Sequence, residues 1–179
     1  MQNIEILNSK ETKEILGVIE KQFGCKPELD YAFLKNSEDK IFIINKDLSK
    51  IDLSKLRINN LGIYIAQLHR GSIRLSIEGA QLIGPYAQKN IVELNKEQMI
   101  VWISGEDLEV SEELAQELEG FVILKYRPNK SRADNKKSDN QDYFLGCGKI
   151  SRDTINNKMI CKLANYISKS RRVNWVEEG

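Results

Sequence analysis

Residues 74–87 read RLSIEGAQLIGPYA, a stretch that predicts the end of a strand, a short helix and a tight turn in succession. Ser76 is a residue type that begins helices, because its hydroxyl accepts a hydrogen bond from a backbone N–H of the first turn. The residues that follow predict a helix over 77–83, which Gly84 and Pro85 end, since proline cannot continue a helix. This order of elements places the stretch inside a mixed α and β domain.

The chain before this stretch predicts a small α/β domain over residues 1–60. Asn8, followed three residues later by Glu11, predicts a capping box at the start of a helix that Gly24 ends. Strands are predicted at 4–7, 31–34 and 40–44, and a short helical or turn segment at 47–56. Strand patterning begins again at Leu61, so a domain boundary is expected between residues 58 and 62.

The chain after residue 61 predicts many short strands with helices between them, a pattern typical of a small, partly open β-barrel. Strands are predicted at 62–68, 73–75, 90–94, 120–126 and 143–150, and a helix begins between Asn95 and Gln98. Residues 127–142, whose only non-polar members are Pro128 and Ala133, predict a mobile hairpin loop. The predicted fold class is α+β, with an α/β domain at 1–60 and a barrel-like domain at 61–176.

Charge is distributed unevenly along the chain, although the net formal charge is only +1. Residues 1–120 hold 14 Lys and Arg against 20 Asp and Glu, whereas residues 121–176 hold 13 against 4. A chain divided in this way has a candidate anion-binding end. Lys-rich surfaces are common, so an ordinary solvated surface is the alternative.

The residue types that metal binding and catalysis need are scarce. Cys25, Cys147 and Cys161 are widely spaced and there is one histidine, so we expect reduced thiols and no zinc site. That histidine, His69, lies in a predicted turn, and the sequence has neither a nucleophile elbow nor a glycine-rich phosphate loop. We therefore expect no enzymatic activity, no metal and no cofactor.

The sequence gives no sign of a membrane segment or a targeting signal. No apolar run approaches the roughly 18 residues that a membrane-spanning helix needs. The N-terminal residues are acidic and polar, unlike a secretory or transit signal. We therefore expect a cytoplasmic protein with no membrane partner.

An acidic cluster between residues 106 and 119 is expected to form a solvated helix face. It could also repel nucleic acid from the wrong face or meet a basic protein. Its members are Glu106, Asp107, Glu109, Glu112, Glu113, Glu117 and Glu119.

Three segments resemble parts of the PUA domain, the RNA-binding pseudobarrel named for pseudouridine synthases and archaeosine transglycosylases. Residues 74–87 are similar to its opening strand, helix and turn. Residues 143–149 (YFLGCGK) resemble its glycine-bearing strand, and residues 165–173 (NYISKSRRV) its closing strand and basic tail. Residues 151–162 depart from the pattern, because they occupy the place of a short turn.

Two families share this resemblance. One is the large-subunit ribosome-biogenesis family, built from a pre-PUA α/β domain followed by a PUA domain. The other is the PUA-like C-terminal domain of Nol/Nop/Sun (RsmF-type) rRNA 5-methylcytosine methyltransferases. The catalytic body of those methyltransferases has no counterpart here, because none of the three prolines precedes a cysteine.

The resemblance implies a pre-PUA-like domain at 1–60 and a PUA-like β-pseudobarrel at 61–176. It implies an RNA-binding protein that assists rRNA maturation, ribosome biogenesis or RNA modification by presenting RNA. Single-stranded regions of rRNA or tRNA are the expected partners, with ribosome-assembly proteins or an RNA-modifying enzyme beside them. A protein–protein adaptor that uses the acidic region is the alternative, and an enzyme acting on a small molecule or nucleotide is less favoured.

The predicted RNA site lies on the glycine-bearing strand and the basic tail. Gly146 and Gly148 alternate on one strand, so they face the same side, where a phosphodiester backbone could come close. Such a pair could equally ease the curvature of a barrel. The full predicted set is Gly146, Gly148, Lys149, Lys169, Arg171 and Arg172. Further candidates are the basic residues of 125–137 and the stacking residues Tyr86, Tyr126, Tyr143, Tyr166 and Trp175.

Overall fold

The computed structural model describes residues 4–47, 62–128, 141–155 and 158–173, and these form an α+β protein. The chain divides into two compact units, which we call unit 1 (residues 1–89) and unit 2 (residues 90–179). The predicted α+β class is therefore confirmed.

Unit 1 contains an antiparallel sheet whose five strands follow one another in chain order. Its elements are β1 (Ile4–Ile6), α1 (Ser9–Phe23), β2 (Ala32–Asn36), β3 (Lys40–Ile44), β4 (Ile63–His69), β5 (Ser72–Leu75) and α2 (Ile77–Ile83). A 3-10 turn over Gly84–Tyr86 follows α2.

Helix α1 begins and ends where the sequence predicts. The Asn8 Oδ1 atom accepts hydrogen bonds from the Lys10 and Glu11 amides, and the Glu11 carboxylate accepts one from the Asn8 amide at 2.8 Å. Gly24 ends the helix with φ +69°, a left-handed conformation that glycine adopts without a Cβ penalty. The side chain of Gln22 then donates to and accepts from the backbone of Ile73, both at 2.8 Å, which attaches the helix to β5.

The stretch 74–87 forms the predicted strand, helix and turn. The Ser76 hydroxyl accepts a hydrogen bond from the Gly79 amide at 3.0 Å and donates one to the Tyr64 carbonyl at 2.7 Å. A Cβ atom on Gly79 would lie only 1.9 Å from the Ile65 carbonyl oxygen. The backbone of α2 therefore lies directly against β4, and only glycine permits this approach.

The predicted domain boundary does not coincide with the division of the structure. The units divide after Lys89, not between residues 58 and 62. Strands β4 and β5 pair with β3 in the first sheet, so residues 61–176 do not form one domain. The renewed strand pattern at Leu61 marks a further strand of the same sheet, because periodicity does not reveal which strand is the partner.

Unit 2 contains a mixed sheet of five strands in the order β6-β8-β9-β10-β7. Its elements are β6 (Ile91–Leu94), α3 (Lys96–Ile103), β7 (Leu108–Val110), α4 (Glu112–Glu117), β8 (Phe121–Tyr126), β9 (Tyr143–Ile155) and β10 (Lys158–Asn165). Strands β6 and β8 are parallel, and the other pairs are antiparallel. The predicted helix start at Asn95 is confirmed by a capping box with Gln98.

Trp102 of α3 is the centre of the core on one face of this sheet. Its side chain is fully buried, and its indole N–H donates a hydrogen bond to the Leu145 carbonyl at 3.1 Å. Arg152 of β9 anchors the second helix by donating to the Ala115 and Leu118 carbonyls at the C-terminal end of α4. The side of the sheet that carries Trp102 and α4 is called the helix-covered face below.

Three predictions for unit 2 need correction. Residues 151–155 and 158–162 do not replace a turn, because they pair with each other as parts of β9 and β10. The predicted closing strand ends at Asn165, and residues 169–171 form a 3-10 helix. The acidic stretch 106–119 is not one helix face, since it divides into β7 and α4. Most of the predicted segment 47–56 and of the predicted loop 127–142 lies outside the described residues.

Candidate nucleic-acid interface

Gly148 lies on the helix-covered face of β9, not on an open surface. A Cβ atom at this position would be 2.9 Å from Trp102 Cη2 and 3.3 Å from Leu124 Cδ2. The absent side chain thus makes room for the indole ring. The structure does not support the prediction that a phosphodiester backbone approaches Gly148, because Trp102 already occupies that space.

Gly146 lies in an irregularity of the β8–β9 ladder. Ile123 pairs with Cys147 and Lys125 with Phe144, so two residues of β9 stand opposite one residue of β8. This is a β-bulge, and Gly146 meets its conformational demand with φ +97°. Gly146 is also buried. Of the two roles considered for the glycine pair, local backbone geometry is the one that its surroundings explain.

Lys149 points to the opposite face of the sheet, as strand alternation requires for the residue after Gly148. It is exposed, and its Nζ atom lies 5.7 Å from the centroid of the Phe121 ring. The Phe121 ring, only 3% exposed, meets Tyr166 at a centroid distance of 5.7 Å and an angle of 68°. Tyr166 itself is 42% exposed. Lys149 and the partly exposed Tyr166 thus both contact the buried ring of Phe121.

Lys162 of β10 belongs to the same surface. Lys149 pairs with Ala164 and Ser151 with Lys162, so the two lysines are diagonal neighbours across the ladder. Ala164 follows Lys162 on this face of β10, and Tyr166 comes directly after the strand ends at Asn165. We call the group Lys149, Lys162, Ala164 and Tyr166 the lysine–tyrosine face.

The chain after β10 turns back along the end of α3, and Asn165 directs this turn. Its side-chain amide donates to the carbonyls of Trp102 at 2.7 Å and Glu106 at 3.0 Å. Its Oδ1 atom accepts a hydrogen bond from the Ile167 amide at 2.7 Å. The Val173 amide then donates to the Ile103 carbonyl at 2.9 Å. The basic tail is therefore attached at both ends.

Arg172 packs against the backbone at the end of α3. Gly105 there has φ +94°, and a Cβ atom on it would lie 2.3 Å from Arg172 Nε. Arg172 also donates to the Ile167 carbonyl at 3.3 Å. A cation at a helix C-terminus is electrostatically favourable. The structure thus gives Arg172 a role in folding.

Lys169 and Arg171 form the exposed 3-10 helix that precedes Arg172. Lys169 follows Tyr166 by three residues, so its Cα atom lies within about 11 Å of the tyrosine's Cα. These two side chains extend the positive charge beyond the end of the lysine–tyrosine face.

Lys125 and Arg127, predicted to extend the basic patch, are engaged by acidic residues. Arg127 donates to both carboxylate oxygens of Asp142 at 2.5 and 2.8 Å. Lys125 lies 2.7 Å from Glu93 and 3.8 Å from Asp142. The hydrogen bonds from Arg127 lower the pKa of Asp142, although partial burial opposes this, and the charge of Lys125 lowers it further. This network joins the ends of β8 and β9.

The charge division along the chain does not become a charge division between units. Unit 2 contains 14 Lys and Arg and 15 Asp and Glu, a net charge of −1, while unit 1 contains 13 and 11, a net charge of +2. The acidic stretch and the basic stretch fold together within unit 2. The net charge of unit 2 therefore does not by itself indicate an anion-binding unit.

Lys162 is not among the predicted site residues, because residues 151–162 were expected to occupy the place of a short turn. The alternation of Cys161 and Leu163 with Lys162 and Ala164 is the signal that could have identified the strand. Tyr166 was one of five stacking candidates, and sequence alone did not distinguish it from the others.

Two other kinds of feature, a metal-binding cluster and a membrane-spanning helix, are absent from the described part of the chain. Residues 4–47, 62–128, 141–155 and 158–173 hold no group of three or more His, Cys, Asp or Glu residues placed to bind a metal ion. No helix in these ranges is long and apolar enough to cross a membrane.

No protein-family model matches the chain, and no curated protein matches it at a significant level. The resemblance to the PUA domain therefore rests on the residues themselves.

Proposed function

We propose that this protein binds RNA through unit 2 and thereby assists rRNA maturation, ribosome biogenesis or RNA modification. One observation carries the proposal. Lys149, Lys162 and Lys169 lie on β9, β10 and the following turn, and none forms an ion pair with another described residue. Lys125 and Arg127, by contrast, are paired with carboxylates.

Unpaired lysines suit phosphate binding because binding does not first require an internal ion pair to break. Each phosphate that they neutralise releases counterions, which makes the affinity depend on salt. Arg171 adds a planar set of donors that can bind phosphate with two hydrogen bonds. This electrostatic contact supplies affinity for RNA in general, not for one sequence.

The PUA-like fold and the cellular setting belong to the same proposal. Its support is limited to local structure: the strand, short helix and small-residue turn of residues 74–87 are present as β5, α2 and the turn at Gly84–Tyr86, but they belong to unit 1 and not to the unit that carries the proposed RNA site. The proposed partners are single-stranded regions of rRNA or tRNA, together with ribosome-assembly proteins or an RNA-modifying enzyme. The proposed location is the cytoplasm.

The test compares two sets of tail variants in the full chain. Lys169→Ala combined with Arg171→Ala should weaken binding to unrelated RNAs alike and reduce the slope of log affinity against log salt by about 0.7 per lost contact. It should leave the melting temperature nearly unchanged, because exposed charges contribute little to stability. Arg172→Ala is the matched control, since it should lower the melting temperature with little effect on the salt slope.

The result that would overturn the proposal is a wild-type chain that does not bind RNA at low salt, or whose binding is indifferent to salt. Binding should be measured by fluorescence anisotropy well below the melting temperature of every variant. An equal loss of affinity in both sets would show that the tail acts only through folding.

A second candidate function is an adaptor that meets a basic protein in ribosome assembly. The specific observation is that all seven acidic residues of 106–119 are exposed, and none forms an ion pair within the described ranges. The two functions differ in a nuclease experiment. Association with ribosomal particles should disappear after nuclease treatment if RNA mediates it, and should persist if a protein does.

A further inference from the structure

The lysine–tyrosine face combines charge with a partly exposed aromatic residue. Lys149 and Lys162 stand diagonally across β9 and β10, and Tyr166, the residue after β10 ends, contacts Phe121, which pairs with Lys149. Ala164 lies between them with no side chain beyond Cβ. The two lysine side chains and the tyrosine ring therefore flank Ala164, whose small side chain leaves space above the sheet.

We propose that this face binds single-stranded RNA, with one base stacked on Tyr166 and the adjoining phosphates at Lys149 and Lys162. The inference rests on the proposed RNA-binding function and names the site and the contact that each side chain makes there. It replaces the glycine pair as the centre of the predicted site, because Gly148 is covered by Trp102.

The ring of Tyr166 is held in place before any ligand arrives. Its contact with buried Phe121, at 5.7 Å and 68°, is the edge-to-face arrangement that aromatic pairs favour. A ring already fixed by packing loses little conformational freedom when a base stacks on it. The 42% of its surface that remains exposed offers the contact area.

Stacking on one exposed ring selects single strands over duplexes. Bases in a duplex are stacked on each other, whereas unpaired bases can turn outward onto an aromatic side chain. Every base has a π-face, so the contact tolerates different sequences. The expected preference is therefore for unpaired RNA, with little dependence on sequence.

The positions of the lysines suit a backbone that passes beside the ring. Diagonal neighbours on adjacent strands are about 7–8 Å apart, within reach of long side chains. Lys149 already lies over Phe121 beside the tyrosine, so it can reach the phosphate next to a stacked base.

Glu109 of β7 provides a built-in comparison. It pairs directly with Lys162 across the β10–β7 ladder and is exposed. Its negative charge opposes an anion at Lys162. Removing that charge should strengthen RNA binding if phosphate lies near Lys162.

The experiment measures binding of the full chain to labelled oligoribonucleotides about ten nucleotides long, by anisotropy between roughly 50 and 200 mM salt. The probes are oligouridylate, oligoadenylate, an abasic ribose-phosphate oligomer of equal length and an RNA duplex. The variants are Tyr166→Leu, Tyr166→Phe, Lys149→Gln with Lys162→Gln, and Glu109→Gln.

Tyr166→Leu should weaken binding to both base-bearing single strands by roughly 5- to 150-fold, with an unchanged salt slope. It should leave binding to the abasic oligomer unchanged, and Tyr166→Phe should behave as wild type. The double lysine variant should reduce the salt slope by about 1.4 on every single strand. Glu109→Gln should tighten binding to all of them.

Two outcomes separate the inference from the proposed function. If wild type binds RNA but the tyrosine, lysine and Glu109 variants all bind as wild type does, the site is wrong and the function stands. If wild type binds no probe, the function itself is refuted. Should Tyr166→Leu fail to fold, the lysine and Glu109 variants decide, because their exposed charges contribute little to folding.

Discussion

Replacing Gly148 with alanine should destabilise unit 2 without touching a binding surface. The new Cβ atom would lie 2.9 Å from Trp102 Cη2, whereas carbon atoms prefer about 3.5–4.0 Å. The indole cannot easily move away, because its N–H is bonded to the Leu145 carbonyl on the same strand. Leu124 Cδ2, at 3.3 Å, limits movement of the alanine on another side.

The expected cost follows from two opposing terms. Forcing one extra methyl group into a packed core costs about 1–3 kcal/mol. Replacing glycine by alanine returns about 0.4–1 kcal/mol by restricting the unfolded chain. The net loss should be between about 0 and 2.6 kcal/mol, with a central value of about 1.3 kcal/mol, and for a domain of this size each kcal/mol lowers Tm by about 4–8 °C.

Urea unfolding provides the measurement, with an unchanged m-value as the sign that only stability has altered. Trp102→Phe supplies the matched background, because phenylalanine lacks the outer part of the indole that carries Cη2. Gly148→Ala should cost at least about 0.5 kcal/mol less in that background. An equal cost in both backgrounds would refute the packing argument. Normal stability combined with lost RNA affinity would instead restore Gly148 to the binding site.

Three further predictions concern other parts of the chain. Gly79→Ala should cost more than about 3 kcal/mol or prevent folding, visible as a lowered urea midpoint or insoluble protein, because its Cβ would lie 1.9 Å from the Ile65 carbonyl oxygen. Gly17→Ala should raise the free energy of unfolding by about 0.5–1 kcal/mol and so raise the urea midpoint, since this exposed helical glycine has open space around it and alanine favours helix. An unchanged midpoint would contradict this. The pKa of Asp142 is lowered by Arg127, so its contribution to stability is present above the unfolded value of about 3.9 and is lost as pH falls through the lowered folded value. The stability of Asp142→Asn should therefore fall less than that of wild type when the pH is lowered through this range. Equal losses of stability in the two proteins would show that the Arg127–Asp142 pair contributes nothing.

Local structure in this chain could be predicted from sequence because its signals act over a few residues. Asn8 with Glu11, and Asn95 with Gln98, each form the predicted capping box. Ser76 begins α2 as expected. These interactions need no distant partner, so residue type and spacing suffice.

The proposed RNA site illustrates the opposite case. Strand alternation correctly separates Gly148 from Lys149, but it does not say which face is covered by helices. That depends on Trp102, 46 positions earlier in the chain than Gly148, whose ring fills the space above the glycine. Arg172 was expected to bind phosphate for the same reason, since its contact with Gly105 is invisible in the sequence.

The sequence by itself therefore determined the α+β class, most of the strands and the helix ends, because hydrogen-bond capping and hydrophobic periodicity are local. Only the tertiary structure decided that β4 and β5 join the first sheet, and that the acidic and basic stretches fold into one unit. It also decided that Lys149, Lys162 and Tyr166 share one face. Strand pairing and side-chain packing join residues far apart in the chain, and their partners are selected by shape and burial, which periodicity does not encode.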